Sequence, residues 1–239
     1  MPDCDPPDGE SHLSSRNAES ERPRLTSNFY RRVGVQGWRK SSYSTDTWKY
    51  PVLRRWIMDQ LTKRGRRILS VGCGTGELER GLRELRYRVI GLDFSFEMLQ
   101  TAARQGDSAL VQGDGHLLPF AAGSFDAVIL PESLGHLKPA VALEEANRVL
   151  RKRGRLLITT YPKHREVHPL YAKSSLEELR AQVIEAGFRV KEHRLLLPKR
   201  AAVEEVRVEK RCALLFVLAT RRESRLGSHG GAPEGQRAA

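Results

Sequence analysis

The sequence predicts an α/β fold in which helices cover both faces of a mainly parallel sheet. Two observations lead to this prediction. Strand-like and helix-like patterns alternate between residues 67 and 219, and the apolar fraction of 39% is enough for one real core. The length of 239 residues suits one large domain with extra segments, or at most two small domains. In such a sheet, ligands bind outside the carboxyl ends of the strands, at the switch point beside the first strand.

The first part of the alternation contains three strands and two helices. In order, these are a strand at 67–71, a helix at 77–86, a strand at 87–92, a helix from Ser95 to about 105 and a strand at 108–112. The first helix has Leu78, Leu82 and Leu85 at helical spacing, and Ser95 is a suitable cap for the second.

The second part of the alternation contains four strands and two helices. In order, these are a strand at 125–130, a helix at 140–151, a strand at 155–160, a further helix, and strands at 188–197 and 211–219. Ser174 followed by Glu177 is a capping-box signature for the further helix, which we expect to end at Gly187.

The segments outside this alternation differ in composition. Residues 1–25 are rich in Pro, Asp, Ser and Glu, and residues 222–239 are similarly polar, so we expect two disordered tails. Residues 26–64 are expected to form an N-terminal helical cap, with an amphipathic helix at 49–61, and residues 65–221 the ligand-binding domain. The aromatic residues Trp38, Tyr43 and Trp48 precede that helix. This stretch could cover the ligand crevice as a lid, or expose its aromatic residues beside a helix packed on the sheet edge.

The chain is strongly basic, with a formal net charge of +12. Such a surface could attract nucleic acid or anionic substrates. However, the basic pairs are scattered along the chain, which is typical of a solvated surface.

Cysteine usage and hydropathy predict a cytoplasmic protein with no membrane partner. Cys4, Cys73 and Cys212 are far apart, so they indicate neither a metal cluster nor a disulfide framework. No apolar run approaches the roughly 18 residues that a membrane helix needs, and the N-terminus is too polar for a signal peptide. The sequence does not indicate an oligomeric state.

Three glycines follow the first strand with the spacing G-x-G-x-G. These are Gly72, Gly74 and Gly76, and Glu77 stands where a dinucleotide fingerprint requires its last glycine. A P-loop is excluded because Gly-Lys-Ser/Thr is absent. The acid disfavours a pyrophosphate and is compatible with a ligand that carries a cation. A tight structural turn remains an alternative.

Acidic residues also follow the second and third strands. Asp93 can accept hydrogen bonds from both hydroxyls of a ribose, or can cap the helix that follows it. Asp114, after Gly113, can accept one from the exocyclic amine of an adenine. Phe94 and Met98 could form apolar walls for the ring. Together with the glycines, these residues favour a nucleoside-containing ligand.

With this glycine loop and these acidic residues, the chain resembles the class I S-adenosylmethionine-dependent methyltransferases. The resemblance is to the small-molecule type that includes the ubiquinone and menaquinone biosynthesis enzymes. The resemblance covers about residues 50–220. The matching stretches are ILSVGCGTGEL at 68–78, VIGLDFSFEML at 89–99, VQGDGHLLPFAAGSFDAVIL at 111–130, EANRVLRKRGRLLITTYP at 145–162 and SLEELRAQVIEAGF at 175–188. The resemblance implies a Rossmann-like sheet of seven strands, the last antiparallel, and S-adenosylmethionine as cofactor.

The resemblance also implies roles for individual residues. Gly72, Cys73, Gly74 and Gly76 would approach the methionine part of the cofactor, and Asp93 would bind the ribose. Asp114, Gly115 and His116 would flank the adenine, and Leu130, Pro131 and Glu132 would line the sulfonium region.

Two positions depart from the family pattern. Ser70 stands where the family often has an acid that helps to hold the cofactor's amino group, so that Glu77 or Glu132 would have to substitute for it. Arg153 precedes Gly154 where the family prefers Pro-Gly, at a turn that is structural.

Methyl transfer from a sulfonium needs alignment of the acceptor and the methyl group in a dry pocket, and needs a base only if the acceptor must lose a proton. His136, in PESLGH after the fourth strand, is the candidate base, or else packs in its loop. His116 is a less suitable base. His164 and His168 have a metal-like spacing, but no third ligand is evident, so no metal is expected.

Three functions remain open from the sequence. The first is methylation of a small molecule. The second is methylation of RNA, using the basic surface, although no RNA-binding module and no NPPY-like tetrapeptide is present. The third is a cofactor-binding partner or regulatory protein that has lost catalysis.

Overall fold

The structure is a computed structural model that describes residues 49–61, 66–106, 109–163, 171–199, 202–205 and 214–222. The predicted tails, apart from residue 222, and the aromatic stretch before residue 49 lie outside the described residues. His164, His168, Cys4 and Cys212 lie outside them as well.

The central feature is one eight-stranded sheet with the strand order β3-β2-β1-β4-β5-β8-β6-β7. The strands are β1 (Arg67–Val71), β2 (Arg88–Asp93), β3 (Leu110–Gln112), β4 (Phe125–Pro131), β5 (Leu150–Thr160), β6 (Phe188–Lys199), β7 (Ala202–Glu205) and β8 (Leu214–Arg221). The helices are α1 (Lys49–Gln60), α2 (Glu77–Glu84), α3 (Phe96–Arg104), α4 (Pro139–Val149) and α5 (Leu176–Glu185), and a short 3₁₀ turn spans Leu134–His136.

Strands β1 to β5 are parallel to one another, and β8 inserts antiparallel between β5 and β6. This arrangement confirms the predicted mainly parallel sheet of seven strands with the last one antiparallel. An eighth strand, β7, which was not predicted from the sequence, pairs antiparallel with β6 at the edge of the sheet.

The sheet buries both of its faces, because successive side chains of a strand point to opposite sides. On β1, Leu69 belongs to a core layer formed with α4 and α5, whereas Ile68 belongs to a second layer formed with α1 and α2. Trp56 of α1 packs on Phe216 of β8, with ring centroids 4.8 Å apart. Covering both faces leaves the strand ends as the places where a ligand can reach the sheet.

The capping box of α5 lies one residue later than predicted. Ser175 Oγ accepts a hydrogen bond from Glu178 N at 3.2 Å, and Ser175 N donates to the Glu178 carboxylate at 2.9 Å. The predicted pair, Ser174 and Glu177, does not form the cap because Ser174 is drawn into a bridge with Pro162. The helix ends before Gly187, as predicted, with this glycine at φ 86°.

The boundary between α4 and β5 also differs from the prediction. The helix ends at Val149, and β5 begins at Leu150 instead of 155. Leu150 pairs with Phe125 of β4, so sheet pairing overrides the helical pattern of residues 150 and 151. Within the described residues, no helix combines the length and the apolar character needed to span a membrane.

Candidate functional site

A cavity opens at the carboxyl ends of β1, β2 and β4. Thirteen of the fifteen predicted site residues line it: Gly72, Cys73, Gly74, Asp93, Phe94, Met98, Gly113, Asp114, Gly115, His116, Pro131, Glu132 and His136. The other two do not. Gly76 caps the N-terminus of α2, and Leu130 is only 1% exposed, in the core.

The glycine loop between β1 and α2 adopts a backbone that other residues avoid. Gly72 has φ 79°, and a Cβ there would lie 2.4 Å from the Cβ of Ser133. Gly74 has φ 54°, and a Cβ there would meet no atom within 4 Å. Gly72 therefore allows a close approach within the protein, whereas Gly74 leaves open space that a ligand can use.

Asp93 joins this loop to the start of α3. One carboxylate oxygen accepts a hydrogen bond from Gly74 N at 2.8 Å, and the other accepts one from Ser95 N at 2.9 Å. Burial raises the pKa of Asp93, and these backbone hydrogen bonds oppose the increase. The carboxylate that was predicted to bind a ribose therefore also holds the glycine loop in place.

His116 links the two sides of the cavity mouth. Its Nδ1 lies 2.6 Å from an Asp114 carboxylate oxygen, and its Nε2 accepts a hydrogen bond from Lys138 N at 2.7 Å. Because Nε2 is an acceptor, the proton is assigned to Nδ1, which donates to Asp114. Both ring nitrogens are therefore engaged, which leaves His116 no role as a base in this arrangement.

Glu132 is held in an unusual backbone conformation directly after β4. Its φ is 54°, a left-handed value that a non-glycine residue rarely adopts. Its backbone N–H donates to Thr159 O at 2.9 Å, and its carboxylate accepts hydrogen bonds from Thr159 Oγ1 at 3.3 Å and from the Tyr161 hydroxyl at 3.4 Å. Contacts from the end of β5 thus fix the carboxylate in the cavity, and strain of this kind is common at functional sites.

Aromatic side chains line the end of the cavity that lies beside β4 and β5. The ring of His136 packs edge-on against Tyr171, with centroids 4.9 Å apart, and Tyr171 packs against Tyr161 at 5.5 Å. The Tyr171 and Thr160 hydroxyl oxygens are 2.7 Å apart. Tyr50 of α1 also lines the cavity. Burial raises the pKa of the Tyr50 hydroxyl, and the nearby carboxylates of Glu132, Glu77 and Glu79 raise it further, so this hydroxyl stays protonated.

Sequence reasoning missed several residues of the cavity, above all Glu79, Tyr50 and Ser133. Glu79 is fully buried and lines the cavity, one residue after the buried Leu78. A charge on the apolar stripe of an amphipathic helix is a signal that could have identified it. Tyr50 and Ser133 left no such signal, because their places in the cavity depend on how distant segments pack.

Ser70 is fully buried in β1 and does not line the cavity. Within the described part of the chain, its Oγ has no hydrogen-bond partner. The two acids named as substitutes, Glu77 and Glu132, both line the cavity, and Glu79 joins them.

The lining of the cavity is acidic although the chain is basic. Five carboxylates line it, those of Glu77, Glu79, Asp93, Asp114 and Glu132, and its described lining contains no Lys or Arg. This contrasts with the net charge of +12 for the whole chain. Such a cavity favours a cationic ligand and disfavours a phosphate. No group of three or more potential metal ligands occurs within the described ranges.

Comparisons with known proteins are consistent with this geometry. Residues 69–158 match the family described as "Methyltransferase domain". A demethylmenaquinone methyltransferase of Beutenbergia cavernae is 41% identical over 111 residues, which cover 45% of this chain and 46% of the relative. The chain thus aligns with about half the length of that curated relative.

Solved structures share the fold at low identity. The putative methyltransferase in complex with the Trm112 methyltransferase activator of Haloferax volcanii has a TM-score of 0.59 at 21% identity, over 74% of this chain and 97% of that one. The [4+2]-cyclase SpnF has a TM-score of 0.58 at 20% identity, over 71% and 79% of the two chains. Because this fold carries more than one kind of reaction, the function must be argued from the cavity.

Proposed function

We propose that this protein transfers a methyl group from S-adenosylmethionine to a small-molecule acceptor, because residues 69–158 match the methyltransferase-domain family and a demethylmenaquinone methyltransferase is 41% identical over 111 residues. The observation that carries the proposal is the acidic cavity at the carboxyl ends of the strands. S-adenosylmethionine carries two cations, a sulfonium and an ammonium, and a lining of five carboxylates without Lys or Arg suits both. The same lining disfavours the pyrophosphate of a dinucleotide.

The residues present fit the parts of the cofactor. The open space at Gly74 leaves room beside the loop, and the Asp93 carboxylate would accept hydrogen bonds from the ribose hydroxyls. Asp114, which is held by His116, would accept a hydrogen bond from the exocyclic amine of the adenine. Glu132, with Glu77 and Glu79 nearby, would supply the negative charge for the ammonium group that Ser70 does not provide.

When bound, the cofactor supplies a methyl group already activated by the sulfonium charge. The chain's own residues then need to orient the acceptor and exclude water, which is worth up to about 7–11 kcal/mol in favourable cases. Tyr50, Tyr161 and Tyr171 provide a largely buried aromatic wall for this purpose. His136 lines the same end of the cavity and would accept a proton from a hydroxyl group of the acceptor.

We infer that the acceptor is a quinol or a similar phenolic ring. The relative from Beutenbergia cavernae is named for methylation of a demethylmenaquinone. The aromatic rings at the end of the cavity beside β4 and β5 support this inference, because planar rings stack well on aromatic side chains. The absence of Lys and Arg from the described lining argues against an anionic acceptor.

The test is to incubate the protein with S-adenosylmethionine and 1,4-naphthalenediol, a reduced naphthoquinone, and to measure S-adenosylhomocysteine and the methylated ring by mass spectrometry. We expect both products. His136→Ala is expected to reduce turnover while leaving the affinity for S-adenosylhomocysteine unchanged. The matched control is His193→Ala, since His193 contacts Arg180 on the surface, outside the cavity lining. Full activity of His136→Ala would reject it as the base.

A second candidate is a protein that binds S-adenosylmethionine without transferring its methyl group, and the serine at position 70 favours it. Calorimetry separates the two. Tight binding of S-adenosylhomocysteine without turnover of any quinol or phenol supports the binding protein. Failure to bind either form of the cofactor rejects both candidates.

A further inference from the structure

A row of basic side chains lies along the edge of the sheet opposite to the cavity. Strands β1 and β2 begin at this edge with an arginine, β5 and β6 each carry one close to it, and β8 ends there with an arginine that a second one follows. The residues are Arg88 of β2, Arg67 of β1, Arg155 of β5, which lies beside Ala127 of β4, Arg189 of β6, Arg221 at the end of β8 and Arg222 directly after it. The pairing registers bring them together, because Arg67 lies beside Arg88, and both Arg155 and Arg189 lie beside Thr220.

The row is long compared with a single small anion. It crosses six neighbouring strands, from β2 to β6. At a strand spacing of about 4.8 Å, it extends for about 24 Å. A chain of regularly spaced negative charges fits this length, and one phosphate ion does not.

Arg155 of the row is crowded by Arg66, which directly precedes Arg67. Burial lowers the pKa of Arg155, and the positive charge of the neighbouring Arg66 lowers it further. The Nε atom of Arg66 is buried and has no hydrogen-bond partner within the described residues. Two guanidinium groups held side by side in this way are stabilised by an anion that bridges them.

The acids near this edge do not balance the row. Asp126 of β4 already accepts a hydrogen bond from Arg67 N at 2.7 Å and pairs with Arg151. The exposed Glu84 and Glu185 end the helices α2 and α5. Lys152 and Arg153, both exposed in the first part of β5, add further positive charge.

We propose that this basic edge binds the phosphate backbone of a nucleic acid, as a docking surface separate from the methyl-transfer cavity. Guanidinium groups match phosphate oxygens with two parallel hydrogen bonds, and nearly all the cations of the edge are arginines. A membrane-binding surface would need apolar anchors among its basic residues. Among the exposed large apolar side chains of the described residues, Phe94 and Phe96 lie instead at the cavity end of the sheet, and Ile184 near the end of α5 is a single aliphatic side chain close to the basic edge.

The distance between the two edges separates docking from catalysis. The five residues of β1 join Arg67 at the basic edge to Val71 at the cavity. At about 3.3 Å per residue, the two edges are about 13 Å apart through the sheet. The acidic lining of the cavity also disfavours a phosphate backbone, so we assign the nucleic acid as a partner held at the arginines and not as the methyl acceptor. This assignment differs from the RNA methyltransferase considered from the sequence.

The test is the binding of a fluorescein-labelled oligouridylate, followed by fluorescence anisotropy from about 50 to 200 mM KCl. The variant Arg67→Gln/Arg88→Gln/Arg155→Gln removes three cations of the edge. The control, Arg55→Gln/Lys163→Gln/Arg180→Gln, removes three cations away from this edge. We expect the edge variant to lose roughly ten-fold in affinity, and the slope of log affinity against log salt to fall by about 2, at about 0.7 per lost contact.

The control variant is expected to bind like the wild type, and both variants are expected to keep the affinity for S-adenosylhomocysteine. If the triple variant does not fold, Arg67→Gln/Arg88→Gln carries the test, because both side chains are exposed. A wild type that does not bind the oligonucleotide overturns the proposal, as does a control variant with an equal loss. Edge-dependent binding to phosphatidylglycerol vesicles, without binding to the oligonucleotide, would assign the edge to a membrane surface. Methylation of the oligonucleotide, detected by mass spectrometry, would overturn the separation of docking from catalysis.

Discussion

Replacement of Asp93 by alanine distinguishes a ligand-binding carboxylate from one that only supports the loop. The carboxylate accepts hydrogen bonds from Gly74 N at 2.8 Å and from Ser95 N at 2.9 Å. Both bonds are lost in Asp93→Ala. The proposed hydrogen bonds to the ribose hydroxyls are lost with them, so that stability and cofactor affinity both decrease.

The two decreases can be given approximate sizes. A hydrogen bond to a charged group contributes about 1.5–3 kcal/mol. Burial of the carboxylate, which raises the pKa of Asp93, offsets part of this sum, so we expect a net loss of about 2 kcal/mol in the free energy of unfolding. This corresponds to a decrease of about 4–8 °C in Tm for a domain of this size. Loss of two ribose contacts at about 1.4 kcal/mol each lowers the cofactor affinity by about a hundred-fold.

Asp126→Ala is the matched control for this variant. Asp126 is also largely buried and also accepts a hydrogen bond from a backbone N–H, that of Arg67 at 2.7 Å, but it lies at the opposite edge of the sheet. Tm is measured by thermal unfolding without ligand, and affinity by calorimetry with S-adenosylhomocysteine. Both variants should lose stability, and only Asp93→Ala should lose affinity. Equal affinities in the two variants would show that the Asp93 carboxylate has a structural role alone.

Three further predictions concern the same cavity. Burial raises the pKa of Asp93 above its ordinary value of 3.8. The affinity for S-adenosylhomocysteine, measured by calorimetry, should therefore fall on acidification at a higher pH than it would with an unperturbed Asp. A pH-independent affinity would contradict this. Glu132→Gln should weaken binding of both S-adenosylmethionine and S-adenosylhomocysteine about ten-fold, because both carry the ammonium group that Glu132 is proposed to hold, and unchanged affinities would remove Glu132 from the ammonium site. Gly72→Ala should lower the free energy of unfolding by more than about 2 kcal/mol because its Cβ has no room, whereas Gly74→Ala should cost only about 1–2 kcal/mol of backbone strain. Similar denaturation midpoints for the two glycine variants would contradict the difference in space.

Secondary structure was predictable where a local pattern decided it. The strand at 67–71 and the end of α5 before Gly187 were predicted at the observed positions. Predictions were wrong where a tertiary contact competed with the pattern. Leu150 pairs with Phe125 and starts a strand inside a helical pattern, and the bridge to Pro162 moves the helix cap from Ser174 to Ser175.

The candidate site was predictable where residues directly follow a strand. The glycine loop, Asp93 and Asp114 come at the carboxyl ends of parallel strands, and such ends meet at one edge. Glu79 and Tyr50 belong to helices, so their places in the cavity depend on which helix face packs on the sheet. That packing depends on contacts between segments far apart in the sequence, which no short pattern contains.

The sequence by itself determined the order of strands and helices, the bare backbone at Gly72 and Gly74, and the carboxylates that follow the second and third strands. These features depend on neighbours only a few residues away. Only the tertiary structure decided that an otherwise basic chain has an acidic cavity, and that Arg67, Arg88 and Arg155 form one row at the other edge. The physical reason is that parallel pairing aligns the ends of strands that lie tens of residues apart, so that charges scattered along the chain become neighbours.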